Sequence, residues 1–331
     1  MTQKDDISAV HAPSMRITTG WILRVLGSVI ILGALLWFLP TDQVLDGFSK
    51  ISPTLFVTVL LLFILGHAVA AGKWWFLLER GFSYFTALVA HFAGLAANLC
   101  LPGVAGGDVV RAGLVSKYTT LSKLTAGSLS DRLIDMLALA MVSASGLVMI
   151  QGGEGDSTLV LKVIALFVLV LAGMFYVAPV LVPKIVEAIP KLPMSGFALK
   201  LANEFKELGR RPLSVIFALL ISIAIQVGFV SLFILLATSA GVEAETGAWF
   251  FAWPLAKILA VLPISLGGIG LREATLAGLM LPFGAEAAPV VAASLIWQAV
   301  LIVAGLLGAL FWAISISKTK THSNLSKRKE A

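Results

Sequence analysis

The chain alternates long apolar segments with short polar ones along almost its entire length. Eight apolar segments contain 15 residues or more, and two further runs are shorter. An apolar helix of about 20 residues crosses the hydrocarbon core of a bilayer, so the pattern predicts an all-α polytopic membrane protein. The strong segments are residues 21–39, 53–78, 84–101, 124–150, 159–182, 213–240, 248–262 and 289–315, and the shorter runs are 104–116 and 270–282.

One eleven-residue pattern occurs twice, 161 residues apart. LPGVAGGDVVR begins at Leu101 and LPISLGGIGLR begins at Leu262, and both contain a proline, a glycine pair and a terminal arginine at the same positions. Each copy interrupts an apolar segment with helix-breaking residues, which is typical of transport sites at membrane depth. Residues 53–78 and 124–150 also match apolar segments of the second half at this offset. The pattern therefore predicts two duplicated halves.

The charged residues distinguish two ways of threading the chain. If every strong segment crosses, the basic loop 183–212 lies outside and acidic loops fall on both sides, against the positive-inside rule. If residues 84–116 and 248–282 instead form re-entrant hairpins, both termini and the basic loops are cytoplasmic, and every short acidic loop is external. The cytoplasmic charges then include Lys73 with Arg80, Lys117 with Lys123, and the loop 183–212. We therefore predict six full spans and two hairpins, arranged as two inverted repeats of three spans and one hairpin each. The predicted hairpin tips contain Pro102, Gly106, Gly107, Pro263, Gly267 and Gly268.

This threading also predicts how the chain is divided. Apolar residues at helical spacing within 183–212 predict an amphipathic helix on the cytoplasmic head groups. The first apolar run has no small-residue cleavage site, so we interpret it as a retained span. The predicted parts are a cytoplasmic segment 1–20, a first membrane repeat 21–150, a second, inverted repeat 151–315 that includes residues 183–212, and a basic cytoplasmic tail 316–331.

Composition supports the membrane class and argues against others. Hydrophobic residues make up 59% of the chain and charged residues 13%. The net charge of +6 comes from basic residues in loops and tails, so nucleic acid is not an expected partner. Cys100 is the only cysteine, and no nucleotide-binding, metalloprotease or nucleophile-elbow motif is present. We therefore expect no catalytic residues, no metal and no cofactor.

Eight ionisable residues lie within or beside apolar segments. A charge near a helix centre costs about 2.5 to 3.5 kcal/mol on insertion scales, so these residues are expected to pair, to be hydrated or to lie near an interface. Asp131 and Asp135 share one helix face, which should bring Asp131 or Arg132 to the turn that carries Asp108 and Arg111. The eight residues are Asp108, Arg111, Asp131, Arg132, Asp135, Lys257, Arg272 and Glu273.

Arg111 and Arg272 occupy matching positions on half-helices that enter from opposite sides. Helix N-termini and the guanidinium fork both favour anions, and phosphate above all. The pattern therefore predicts a phosphate-binding half-site at each arginine. The alternative is that each arginine only neutralises a nearby carboxylate.

Further residues complete the predicted site. Substrate binding is also expected for Arg132, Lys257 and Asn98, the last because it precedes the first tip, although Lys257 could instead be buried against Glu273. Asp108 could equally cap the second half-helix of its hairpin. The candidates for proton coupling or ion pairing are Asp108, Asp131 and Glu273.

Two sets of residues on the apolar helices are expected to be structural. Isolated polar side chains usually hydrogen-bond across helix interfaces, which we expect of His67, His91, Gln226 and Gln298. Tryptophans near span ends usually anchor the helix at the membrane interface, which we expect of Trp74, Trp75, Trp249 and Trp253.

Three motifs, LPGVAGGDVVR, SDRLIDML and LPISLGGIGLRE, resemble the flippase-like family of the lysylphosphatidylglycerol synthase transmembrane region, over residues from about 20 to 315. The resemblance implies transbilayer movement of a lipid with an anionic head group, such as a phospholipid or a polyprenyl-linked glycolipid, in the bacterial inner membrane. Fused family members also carry a cytosolic aminoacyltransferase domain, which is not expected here, so the synthase activity is not expected either. Whether the lysyl lipid is the cargo is therefore left open.

Two other functions fit the same sequence. One is secondary transport of a small soluble anion, which the same architecture would serve. The other is a non-transporting accessory role beside a lipid-synthesis enzyme or glycosyltransferase, which is a candidate partner. The oligomeric state is not predicted.

Overall fold

A computed structural model describes residues 39–100, 106–151, 158–189, 193–261 and 269–329, and six positions between 26 and 37. Every regular element in these ranges is helical, in agreement with the predicted all-α class. A π-helical turn, Gly173–Val177, lies between the helices Thr158–Ala172 and Ala178–Ala188, and a short 3-10 helix, Leu281–Phe283, follows the helix Leu271–Met280. The helices are α1 Thr41–Ser49, α2 Pro53–Leu77, α3 Tyr84–Cys100, α4 Gly106–Val115, α5 Leu121–Gln151, α6 Thr158–Ala172, α7 Ala178–Ala188, α8 Ser195–Gly209, α9 Pro212–Ser239, α10 Thr246–Leu259, α11 Leu271–Met280 and α12 Ala287–Lys329.

Five helical stretches within these ranges are long and apolar enough to cross a membrane. The protein is therefore a multi-pass membrane protein. The five stretches agree with five of the six predicted spans. The sixth predicted span, residues 21–39, lies mostly outside the described residues. The five stretches are Pro53–Leu77, Leu121–Ile150, Leu161–Ala188, Pro212–Ser239 and Ala287–Ser315.

Four helices between these spans are much shorter. Helices α3 and α10 contain 17 and 14 residues, and α4 and α11 contain 10 each. At 1.5 Å per residue, α4 and α11 are each about 15 Å long, about half of a hydrocarbon core. Gly106 and Gly107 begin α4. The other predicted tip residues, Pro102, Pro263, Gly267 and Gly268, lie outside the described residues.

Helix α3 begins and α4 ends at the same end of the bundle. Phe82, just before α3, stacks on Tyr118, just after α4, with ring centroids 5.9 Å apart. Glu79 pairs there with Lys123 at the start of α5 and with Arg211 before α9, whose Nη2 lies 2.5 Å from the Glu79 Oε1. The hydrogen bond from Lys123 and the charge of Arg211 hold the pKa of Glu79 below its ordinary value.

Helix α10 begins and α11 ends at the opposite end of the bundle, where α9 finishes. Phe251 in α10 contacts Phe283 after α11, with ring centroids 6.2 Å apart. Helix α1 also lies at this end, because Val44 packs against Ala288 and Ala292 in the first turns of α12. The two pairs of short helices therefore start from opposite ends of the protein.

The short helices pack on long helices of the other half. Helix α10 lies along α5, and α3 lies along α12. A Cβ atom at Gly146 in α5 would come within 2.7 Å of the Gly247 carbonyl oxygen, and one at Gly308 in α12 within 2.6 Å of the Phe92 carbonyl oxygen. Glycine at both crossings lets the two backbones approach closely.

The amphipathic helix predicted within 183–212 is α8. Its apolar face is buried through Phe205 and Leu208, which pack in a cluster with Phe175 of the π-helical turn. The span before it continues to Ala188, six residues beyond the end predicted from apolarity. A buried apolar stripe and an exposed polar face are the expected features of a surface helix.

The expectation of aromatic anchors at the membrane interface is wrong for three tryptophans. Trp74, Trp249 and Trp253 are at most 2% exposed, and Trp249 and Trp253 pack with Phe233 in the main core. A tryptophan anchors at the interface only when its ring faces lipid, and these rings face neighbouring helices instead. Trp75 remains partly exposed near the end of α2.

Candidate functional site

A cavity of about 580 Å³ lies between the first-half helices α2 to α5 and the second-half helices α9 to α12. All eight helices, or the turns beside them, contribute to its wall. The cavity brings together every predicted substrate-binding residue, and Glu273 contacts one of them, Arg272. The polar and charged residues of the wall are His67, His91, Asn98, Asp108, Arg111, Asp131, Arg132, Asp135, Gln226, Lys257, Arg272 and Gln298.

Arg111 is held by carboxylates on the first-half wall. It lies on α4 and is 5% exposed, and its Nη2 is 3.1 Å from the Asp108 Oδ1 and 3.4 Å from the Asp131 Oδ2. The Trp74 ring lies beneath the guanidinium, 4.2 Å from its carbon to the ring centroid. Arg132 also pairs with Asp108. The predicted meeting of Asp131 and Arg132 with the Asp108 and Arg111 turn is therefore present, and the arginine contacts are those of local neutralisation.

Lys73 is a member of this network that the sequence did not reveal. Sequence reasoning counted it as a cytoplasmic loop charge, but it lies inside α2 and is 2% exposed. Its Nζ is 3.0 Å from the Asp131 Oδ1 and 2.5 Å from the Asp135 Oδ1, and it donates to the Ser222 Oγ at 2.8 Å. Two N–H bonds of the ammonium group are donated to Asp135 and Ser222, and the Asp131 carboxylate adds a neighbouring negative charge. The available signal was the carboxylate pair itself, which at membrane depth requires a cation.

Arg272 is held differently on the second-half wall. Its Nη2 donates to the Glu273 Oε1 at 2.7 Å and to the Gln298 side-chain oxygen at 3.0 Å. Glu273 is 0% exposed and also accepts from the Gly270 backbone N–H at 2.7 Å and from the Ser294 hydroxyl at 3.2 Å. This carboxylate therefore closes the first turn of α11 and pairs with its neighbouring arginine.

Lys257 has neutral partners only. Its Nζ donates to the Gln226 Oε1 at 3.0 Å and lies 5.1 Å and 5.6 Å from the ring centroids of Trp253 and Phe229. Within the described part of the chain, no carboxylate is close enough to form an ion pair with it. The alternative contact with Glu273 is not formed, because that carboxylate is occupied by Arg272 and the start of α11.

Asn98 positions the first short helix pair. Its side-chain oxygen accepts from the Gly107 backbone N–H at 2.8 Å, which satisfies a donor in the first turn of α4. The expected capping role is thus filled by Asn98 from a neighbouring helix, while Asp108 pairs with arginines. Asn98 also lines the cavity, so its predicted contact with substrate is sterically available.

Two histidines extend the Arg111 network across α2 and α3. The His91 Nδ1 lies 3.5 Å from an Arg111 Nη1, and the His91 Nε2 lies 3.1 Å from the His67 Nδ1. Arginine can only donate, so the His91 Nδ1 accepts and its Nε2 carries the proton towards His67. The expected bonds between helices are present, and both rings also face the cavity. No group of three metal-ligating side chains occurs among the described residues.

Comparison with known families identifies the class of membrane domain. The family of the lysylphosphatidylglycerol synthase transmembrane region matches residues 21–309. The chain belongs to this family. It is a family of membrane domains associated with lipid handling, and the match includes both copies of the eleven-residue pattern and every residue that lines the cavity. No curated protein and no solved structure matches the chain.

Proposed function

We propose that this protein moves a lipid with an anionic or phosphate-bearing head group between the two leaflets of the bacterial inner membrane. The head group would enter the cavity while its acyl or prenyl chains stay in lipid. One observation carries the proposal: four cations and three carboxylates line the cavity of a membrane protein from a lipid-handling family. Cations at membrane depth are costly and usually functional, and an anionic cargo would use the excess positive charge.

We also propose the architecture that this movement needs. The chain would form two inverted repeats of three spans and one re-entrant hairpin, with both termini cytoplasmic. The start and end of the α3 and α4 pair at one end of the bundle support this, as do the start and end of α10 and α11 at the other. The first-half helix α3 packs on the second-half helix α12, and the second-half helix α10 packs on the first-half helix α5. This reciprocal packing also supports a two-fold axis in the membrane plane.

In the proposed mechanism, Arg111 and Arg272 contact the head-group phosphate in turn. Asp108 and Asp131 already occupy Arg111, so a phosphate would reach it only by displacing one of these carboxylates. Protonation of the displaced carboxylate would keep the network neutral. Lipid movement would therefore be driven either by coupled proton movement or by the concentration gradient of the lipid itself. The sequence contains no nucleotide-binding motif that would suggest a role for ATP. We propose that the protein is a translocase and not an enzyme.

Reconstituted vesicles test this function. We expect the protein to move fluorescent phosphatidylglycerol between leaflets faster than fluorescent phosphatidylcholine. Arg111→Gln and Arg272→Gln should slow phosphatidylglycerol movement at least about tenfold in inserted protein, and lysine at either position should restore it only in part, because lysine lacks the bidentate fork. Lys162→Gln removes an exposed charge on α6, away from the cavity wall, and is the matched control.

Three results would contradict the proposal in different ways. Movement of inorganic phosphate without any lipid would favour the small-anion transporter. Wild-type rates in both arginine variants would leave the arginines without a role in binding. Lipid movement at the rate of empty vesicles, for the wild type, would favour the accessory role beside a lipid-synthesis enzyme.

A further inference from the structure

We infer that in this conformation the head-group anion binds at Lys257 on the second-half wall, and that the site selects a phosphodiester with a single negative charge. The inference rests on the proposed function and specifies which residue holds the cargo. It differs from the expectation drawn from the repeated motif, in which Arg111 and Arg272 are equivalent.

The first-half wall has no charge to offer an anion. Its two arginines, and Lys73 outside the cavity lining, each contact at least one of its three carboxylates, so the network is neutral as a whole. An added anion would leave this network, whose Lys73, Arg111 and Asp131 side chains are at most 8% exposed, with an uncompensated negative charge, which is unfavourable. The members of the network are Lys73, Arg111, Arg132, Asp108, Asp131 and Asp135.

Lys257 supplies the excess positive charge of the cavity. Arg272 is balanced by Glu273, whereas Lys257 donates only to the neutral amide of Gln226. An ammonium group has three N–H bonds, and two of those on Lys257 have no partner among the described residues. An anion in the cavity would supply both the missing acceptor and the missing counter-charge.

Two further donors, on residues of the second-half wall, are buried without an acceptor in the described structure. One is the indole N–H of Trp253, which is 2% exposed, lines the cavity and lies one turn before Lys257 on α10. The other is the Nε of Arg272. Arg111 has an unpaired Nε as well, but two carboxylates already hold its outer nitrogens.

The chemistry of these donors defines the ligand. An ammonium, an indole N–H and a guanidinium N–H suit the oxygens of a phosphate group. One excess positive charge is neutralised by one negative charge, as on a phosphodiester, and overcompensated by a doubly charged phosphomonoester. The rings of Trp253 and Phe229 beside the ammonium reduce its contact with water, which strengthens the preference for a matched charge.

Binding of defined lipids to the purified full-length protein in nanodiscs tests the inference. Phosphatidylglycerol, phosphatidic acid and phosphatidylcholine are the lipid probes, and inorganic phosphate is the soluble probe. We expect phosphatidylglycerol to bind best. Lys257→Gln should weaken its binding at least about tenfold, Trp253→Phe should weaken it several-fold, and Lys257→Arg should stay within about threefold of the wild type. Lys162→Gln is the matched control and should bind like the wild type.

Each outcome separates this inference from the proposed function. Unchanged phosphatidylglycerol binding in Lys257→Gln, with normal lipid movement, would overturn the inference and leave the translocase intact. Equal binding of phosphatidylcholine would overturn the charge argument. Binding of inorganic phosphate that Lys257→Gln abolishes, in a protein that moves no lipid, would support the anion site and contradict the translocase. If Lys257→Gln does not fold, unchanged binding in Trp253→Phe overturns the inference.

Discussion

Charged residues on the first-half wall pair mainly across helices. Arg111 on α4 and Lys73 on α2 both contact Asp131 on α5, and Ser222 on α9 links to Asp135. Apolar surfaces gain little from leaving lipid for one another, so such polar contacts help to hold membrane helices together. The network is therefore expected to stabilise the fold as well as to serve the cavity.

Lys73→Met tests the structural role of this network. The substitution leaves Asp131 and Asp135 with one positive partner fewer at a buried position, so we expect a loss of about 3 to 5 kcal/mol in the free energy of unfolding. Adding Asp135→Asn restores the charge balance and should recover part of the loss. Unfolding in mixed micelles measures both. Equal stability of Lys73→Met and the wild type would contradict the role.

Sequence reasoning is most informative for residues that belong to a motif. It predicted Arg111, Arg272 and Asn98 as binding residues because they border the two interruptions, and all three line one cavity. It missed Lys73, because a lysine one turn from a helix end resembles a loop charge until its partners are known. It treated Gln226 and Gln298 as structural, since an amide on an apolar helix gives no sign of which cation it meets.

At the level of the helices, apolarity predicted the existence of each element better than its ends. The span that ends at Ala188 was predicted to end at 182, where Pro183 and Lys184 begin a polar stretch. Pro179 lies in the first turn of α7, where a proline is tolerated, whereas Pro183 lies inside α7 and removes one helical hydrogen bond without ending the helix. The apolar composition therefore ends six residues before the helix does.

Gly146→Ala tests the close crossing of α5 and α10. The added methyl would meet the backbone of Gly247 and Phe250, which cannot move aside as a flexible side chain would. We expect a loss of about 1 to 3 kcal/mol in the free energy of unfolding. Gly228→Ala in α9 is the matched control, because no atom lies within 4 Å of its added methyl, and it should be neutral or slightly stabilising. Equal effects in the two variants would contradict the close packing.

For the whole molecule, the repeat predicts the arrangement of helices but not the distribution of charge. Arg111 and Arg272 correspond at the 161-residue offset, whereas Asp131 corresponds to Ala292, and Lys257 to Ala96. Each short helix packs on a long helix of the other half. The carboxylates of the cavity wall lie in the first half, whereas Lys257, the cation without a carboxylate partner among the described residues, lies in the second half. Duplicated backbones with different side chains allow the two halves to take different parts in one transport cycle.

Cysteine labelling tests the proposed threading of the whole chain. In a Cys100→Ser background, single cysteines replace the exposed residues Ser83 and Tyr118 at the ends of the α3 and α4 pair. Cysteines at Glu245 and Glu286, also exposed, report on the ends of α10 and α11. Glu286 is preferred to Gly284, whose φ of 77° strains any other residue.

An impermeant maleimide applied to intact cells and to inside-out vesicles should separate these four positions into two pairs. We expect the cysteines at 83 and 118 to react only in inside-out vesicles, because both ends of the first hairpin should be cytoplasmic. Those at 245 and 286 should react in intact cells. A hairpin whose two ends react from different sides would be a crossing segment, and the inverted repeat would then lose its basis. A cysteine at exposed Lys50, beside Gly241 at the α10 end of the bundle, is the control and should react in intact cells.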